Sequence, residues 1–245
     1  MITGNSPSLI KAFKDKIDTQ FRITDLGPIS WLLGMKVVWD HTTQTISLSQ
    51  EPYIKAILVK FNFTDMKPVS TPLDLHVILL DIQSSKTTNK IAWMHNIPYC
   101  QAMGSLIHLA TSTRPDINFT TSYVSQFNAN PGWDYLEATK QTYCYLIGTM
   151  SLALTFETQT RGLVGYVDTD GATQEHQQVI MGYVFLINGG VILWGSKKQE
   201  LVTLLMAESK YVVATHVAKE VLWLCCLIGE IFGPLVYPTV LYVDN

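Results

Sequence analysis

Charge is scarce in this chain: only 15% of its 245 residues are Asp, Glu, Lys or Arg. That is well under the usual quarter, and with 47% hydrophobic residues it excludes a disordered chain and supplies a real core. Basic charge is scarcer still. Seventeen Lys and Arg against twenty Asp and Glu leave a net charge of -3, so the composition carries no signature of a freestanding nucleic-acid binder. Residues 1–72 hold eight basic and six acidic side chains, residues 161–245 five and eight, so the acidic excess lies toward the C-terminus. Cysteine is limited to Cys100, Cys144, Cys225 and Cys226, with no CxxC spacing. This excludes a zinc knuckle and a disulfide framework and fits a reducing compartment. Met1-Ile2 leads straight into polar residues, which is not a secretory leader. The apolar run Val221–Gly229 falls far short of the roughly 20 residues of a membrane span. The expectation is an intracellular protein, in cytoplasm or nucleus, with no membrane partner.

What is present divides by period. Ser6-Pro7 opens a helix as N-cap and first residue, with Ile10, Phe13, Ile17 and Phe21 on one face and Leu26-Gly27-Pro28 as its stop. Trp31–Asp40 and Thr45–Gln50 read as two strands, and Glu51-Pro52 begins a helix with Ile54, Ile57, Leu58 and Phe61 inward. Composition breaks over 74–97, where Ser84–Asn89 reads as a flexible linker or surface loop. Helices follow near 98–112, 115–128 and 133–148. From 150 the period becomes two: Leu152–Phe156, Gly162–Asp168, Val179–Ile187 and Val191–Trp194 read as strands, the last two joined by Gly189-Gly190. Leu201–Leu205 is a further short strand, Ala207–Gly229 a long helix and Pro238–Val243 a final strand. Trp31, Trp194 and Trp223 sit in patterns that read as core, and the six His form no cluster.

Acids mark the C-terminal path: Asp168 at a strand end, Glu208 on the helix, Asp244 at the last strand end. Carboxylates at the ends of neighbouring strands converge on one crevice. There they can hold paired Mg²⁺ ions that activate water and stabilise a leaving oxygen in phosphodiester hydrolysis. Acids at strand ends are also common in ordinary loops, so spacing alone leaves both readings open.

Five blocks occur in order: Gly165–Asp170, Gly182–Leu186, Trp194–Gln199, Lys219–Leu224 and Tyr242–Asn245. They resemble the ribonuclease H of copia-type retrotransposon polyproteins. Upstream, Phe21–Gly27, Leu32–Met35, Leu48–Gln50 and Thr71-Pro72 resemble the end of the copia reverse transcriptase. Tyr99–Ala110, Thr113–Ile117 and Tyr145–Thr149 resemble the helical segment between the two.

The resemblance implies an α+β chain. A reverse-transcriptase palm-end hairpin and helix would occupy 1–73, a linker 74–97 and thumb-like connection helices 98–149. A truncated ribonuclease-H-like α/β mixed sheet would fill 150–245. It also implies Asp168 and Asp244 as catalytic metal ligands, with Mg²⁺ as cofactor. Leu33, Gly34, Met35 and Lys36 would be a primer-contacting hairpin, and Lys197 and Lys198 contacts to a phosphate backbone. The partners implied are an RNA–DNA hybrid or primer–template and the rest of the Pol polyprotein.

The family's catalytic Glu falls on Lys210, a cation that repels Mg²⁺. Glu208 lies two residues away, about 200° around the helix. Gln178–Met181 replaces the family's Arg-Ser-Thr-Ser. The polymerase acids precede Met1 in the family and the later His and Asp follow Asn245. The expectation is therefore a fragment of reverse transcriptase and ribonuclease H ancestry that is inactive as this chain. The alternative is a non-catalytic nucleic-acid-binding or structural relic.

Overall fold

The computed structural model describes residues 2–4, 6–158, 162–170, 180–198, 206–233 and 238–243; the side chains at 169–170 and 206–210 fall outside that description. Leu201–Leu205 and Asp244, named above as a strand and a ligand, lie outside the described residues.

The chain is α and β mixed, with one antiparallel and one mixed sheet. Helix α1 (Pro7–Asp18) starts where expected: the Ser6 hydroxyl accepts the Leu9 amide at 3.5 Å. It ends before Phe21, and none of its residues is buried; of its expected apolar face Ile10 and Ile17 are half-buried and Phe13 is exposed.

The first expected strand splits in two. Leu33 (φ 49°) and Gly34 (φ 80°) both take left-handed backbone. This turns β1 (Trp31–Leu32) back onto β2 (Met35–Asp40), with Leu32 opposite Met35. Two consecutive positive-φ residues make the tight hairpin turn that matches strand twist. Strand β3 (Thr45–Ser49) pairs antiparallel with β2 and leads into α2 (Glu51–Lys60), which buries Ile54, Ile57 and Leu58. The fourth strand of this sheet is β4 (Leu154–Phe156), antiparallel to β3 through Leu48 and Leu154. Sequence period grouped β4 with the C-terminal strands; in space it closes the N-terminal sheet.

The helical body comprises α3 (Thr88–His95), α4 (Tyr99–Ser112), α5 (Asn118–Ser125) and α6 (Trp133–Gly148). Met103, Leu106, Leu109, Ile117, Tyr135 and Leu146 are at most 1% exposed in its core. The stretch expected as a linker or surface loop is tied to this body. Leu79 and Met94 are buried, the Tyr135 hydroxyl donates to the Leu80 carbonyl, and the Ser85 hydroxyl donates to the Pro131 carbonyl at 2.9 Å. A Cβ on Gly132 would overlap the Gln83 carbonyl oxygen, so the chain passes too closely there for any side chain.

Arg114-Pro115-Asp116, between the helices expected near 98–112 and 115–128, forms a clamp around a buried Arg114. Arg114 is 1% exposed. Its Nε and Nη2 donate to the two Asp116 oxygens at 2.9 and 2.7 Å. Its remaining donors reach the Thr149 carbonyl and hydroxyl at 3.0 and 2.7 Å. The Tyr145 hydroxyl adds a third bond to Asp116 at 2.9 Å. The end of α4 is thereby fastened to the end of α6.

The second sheet has the order β7-β6-β5-β8, from β5 (Val164–Asp170), β6 (Ile180–Ile187), β7 (Gly190–Lys198) and β8 (Val240–Val243). The β6–β7 turn is Asn188-Gly189, both at positive φ, one residue earlier than the Gly-Gly expected. Helix α7 (Met206–Phe232) covers one face. Val213, Val217, Leu224 and Ile228 meet Leu163, Val167, Met181 and Phe185 there. By length and composition Tyr211–Phe232 is apolar enough to cross a membrane, with mean hydropathy 1.6, which the short run Val221–Gly229 did not suggest. Its inward face is nonetheless a sheet-covering face. Trp223 is 55% exposed and so is Trp31, so two of the three tryptophans read as core are not.

Candidate nucleic-acid interface

Residues alternate between faces along a strand. Gly165 and Val167 are buried toward α7, so Tyr166 and Asp168 lie exposed on the opposite face of β5. Across that face Asp168 is in register with Gly182, and Gly182 with Ser196. In the adjoining row Tyr166 is flanked by Val184 on one side and Tyr242 on the other. The two tyrosine rings stack at 5.1 Å and 19°. Trp194, in register with Val184, donates its indole N–H to the Ala110 carbonyl at 2.7 Å. That bond fastens the sheet to α4. The result is a cleft of about 1080 Å³ with the sheet as one wall and Pro115, Asn118 and Phe119 as the other.

Asp168 is the one carboxylate among the described residues lining this cleft. Val167 and Val243, which immediately precede Asp168 and Asp244 in sequence, are register partners on parallel strands. Asp244 itself and the side chains of Glu208 and Lys210 lie outside the described residues. Among the described residues no three His, Cys, Asp or Glu side chains gather to hold a metal. A single carboxylate does not make a two-metal site. Among the described residues Asp168 alone is placed to contribute a carboxylate to such a site.

The other expected contacts fall on two hairpins. Leu33 and Gly34 form the β1–β2 turn, with Leu33 86% exposed; Met35 and Lys36 open β2. Lys197 and Lys198 are strand residues at the end of β7, opposite Met181 and Ile180, beyond Trp194 where the expected strand ended. Sequence reasoning missed the Tyr166–Tyr242 pair. The alternation of strands placed each tyrosine on one face or the other, but only the β5–β8 register brings them together.

Residues 1–75 match the family model described as reverse transcriptase (RNA-dependent DNA polymerase). The chain is 38% identical over 232 residues to the retrovirus-related Pol polyprotein from transposon TNT 1-94 of Nicotiana tabacum, covering 94% of this chain and 18% of that protein. It is 31% identical to the Pol polyprotein from transposon RE1 of Arabidopsis thaliana, over 100% of this chain and 16% of that one. A 133-residue stretch is 37% identical to secreted RxLR effector protein 161 of Plasmopara viticola, covering 54% of this chain and 94% of that protein. No solved structure matches. The chain belongs to the copia-type retrotransposon Pol polyproteins. It spans less than a fifth of the length of the transposon polyproteins named here.

Proposed function

We propose that this chain is the reverse transcriptase–ribonuclease H junction of a Pol polyprotein, that it holds RNA–DNA hybrid or primer–template, and that it does not cleave it. Residues 1–73 are the polymerase end, 74–149 the connection and 150–245 the nuclease-derived part. The parent polyprotein would copy RNA into DNA and degrade the RNA of the hybrid. The observation that carries the reading is the β7-β6-β5-β8 sheet with Asp168 exposed on its open face, lining a cleft of about 1080 Å³. Asp168 and Asp244 are the proposed ligands of Mg²⁺, and Lys210 stands where the resemblance requires an anion. An ammonium at that position opposes cation binding by like-charge repulsion.

Nucleic acid would then be held by chemistry that needs no metal. Lys36 on the first hairpin and Lys197 and Lys198 on β7 offer phosphate contacts, and each lost contact flattens the salt dependence of binding by about one counterion. The test is fluorescence anisotropy with a labelled RNA–DNA hybrid, in Mg²⁺ and in EDTA. Equal affinity in both, weakened by Lys197→Ala with Lys198→Ala, is the expected result. Binding that requires Mg²⁺ contradicts the reading.

A further inference from the structure

Away from the sheet, two tryptophans share one spot on the helical body. Trp93 on α3 and Trp133 at the start of α6 are 47% and 53% exposed, and their rings lie 5.4 Å apart at 33°. Exposed tryptophans tilted against each other leave broad apolar surface in water, which is costly unless something covers it. Both rings line two clefts. The first, about 360 Å³, is bordered by Lys60 and Lys140; the second, about 530 Å³, by Lys86 and Lys90. Each is of the size that takes a small ring system. The Lys140 ammonium sits over the Trp133 ring at 4.9 Å while pairing with Glu137 at 2.7 Å. Asp134 lines the second cleft. Four ammonium groups against these two carboxylates leave the patch positive on a chain whose net charge is -3.

We infer that the Trp93–Trp133 pair is a stacking platform for single-stranded nucleic acid, with bases on the indoles and the phosphate backbone along Lys60, Lys86, Lys90 and Lys140. Aromatic faces set in a basic groove are the means by which single strands are held without sequence preference. A duplex keeps its base faces stacked internally and offers nothing to the indoles. The charge pattern favours a polyanion over an apolar helix, which would leave Lys60, Lys86 and Lys90 unanswered. The inference stands apart from the nuclease-derived sheet, since no residue of β5 to β8 takes part.

The experiment uses the full chain and 5′-fluorescein-labelled dT12 and rU12 in anisotropy titrations over a range of salt. Both are expected to bind, with log affinity falling by about 0.7 per phosphate contact for each log of salt. Trp93→Ala with Trp133→Ala is expected to weaken binding at least about fivefold, the loss of one stacked base. Trp93→Phe with Trp133→Phe, which keeps aromatic faces, retains binding within about threefold. Lys86→Glu with Lys90→Glu weakens binding and flattens the salt slope. Circular dichroism of each variant confirms the fold, and the Phe pair keeps the test decisive if the Ala pair unfolds. The inference is overturned if the wild-type chain leaves both strands unbound, if the Ala pair binds like wild type, or if the Phe pair loses binding as fully as the Ala pair. The second of these would leave binding to Lys36, Lys197 and Lys198 intact.

Discussion

Arg114→Ala is expected to lower the stability of the helical body by about 2–4 kcal/mol: the bonds of a buried guanidinium are lost, while the Asp116 carboxylate left without its cation is 30% exposed and partly solvated. Arg114 is 1% exposed and makes bonds to Asp116 and Thr149 from every nitrogen of its guanidinium. Without it the Asp116 carboxylate keeps the Tyr145 hydroxyl but loses its cation, and the α4–α6 clamp opens. Arg114→Lys cannot reproduce the planar fork and recovers little of the loss.

The same clamp makes stability depend on pH in a definite direction. Burial pushes the Asp116 carboxyl up, but the Arg114 hydrogen bonds and charge, with the Tyr145 hydroxyl, outweigh it and hold the group below the ordinary aspartate value. The unfolded chain titrates at about 3.9. The clamp's contribution is therefore complete above that pH and is lost as pH falls through the lower native value. Urea unfolding of wild type and Arg114→Ala from pH 7 down to pH 2 tests both statements. The gap between the two is expected to be widest near neutrality and to narrow in acid.

Phe185→Ala is expected to cost about 3–5 kcal/mol in the second core. Phe185 is 0% exposed, under α7 and beside Val167 and Met181. Its ring fills the space that Gly165 leaves open: a Cβ on Gly165 would lie 2.5 Å from Phe185 Cε1. Backbone rigidity on both sides limits collapse into the hole, so the cavity term is retained. Amide hydrogen exchange separates this effect from that of Arg114→Ala. Protection is expected to fall first over β5, β6 and α7 in Phe185→Ala, and over α4 and α6 in Arg114→Ala.

Much of the C-terminal sheet was legible. The alternation around Tyr166, Val167 and Asp168 placed β5, and the Gly-rich turn placed the β6–β7 hairpin within one residue. What escaped was non-local. β4 carries the same period as its sequence neighbours, and only pairing with Leu48, more than 100 positions earlier, assigns it to the other sheet. The anchoring of 74–97 escaped because it rests on Ser, Tyr and backbone groups, which leave no periodic trace. Arg114 escaped for the opposite reason: a charged residue beside proline reads as surface, and its burial depends on partners 2 and 35 positions away. Asp168 was found through family resemblance, and the structure adds that it faces a cleft on the open side of the sheet. Lys36, Lys197 and Lys198 were legible as cations; their places on β2 and at the end of β7 come from strand pairing.

The central proposal is that a nuclease-derived sheet persists here without nuclease action. Its most direct test is incubation of the purified chain with an RNA–DNA hybrid labelled on the RNA strand, with Mg²⁺ or Mn²⁺, resolved on a denaturing gel. The account predicts intact RNA from wild type and from Asp168→Asn alike. Metal-dependent RNA fragments that disappear in Asp168→Asn would contradict it.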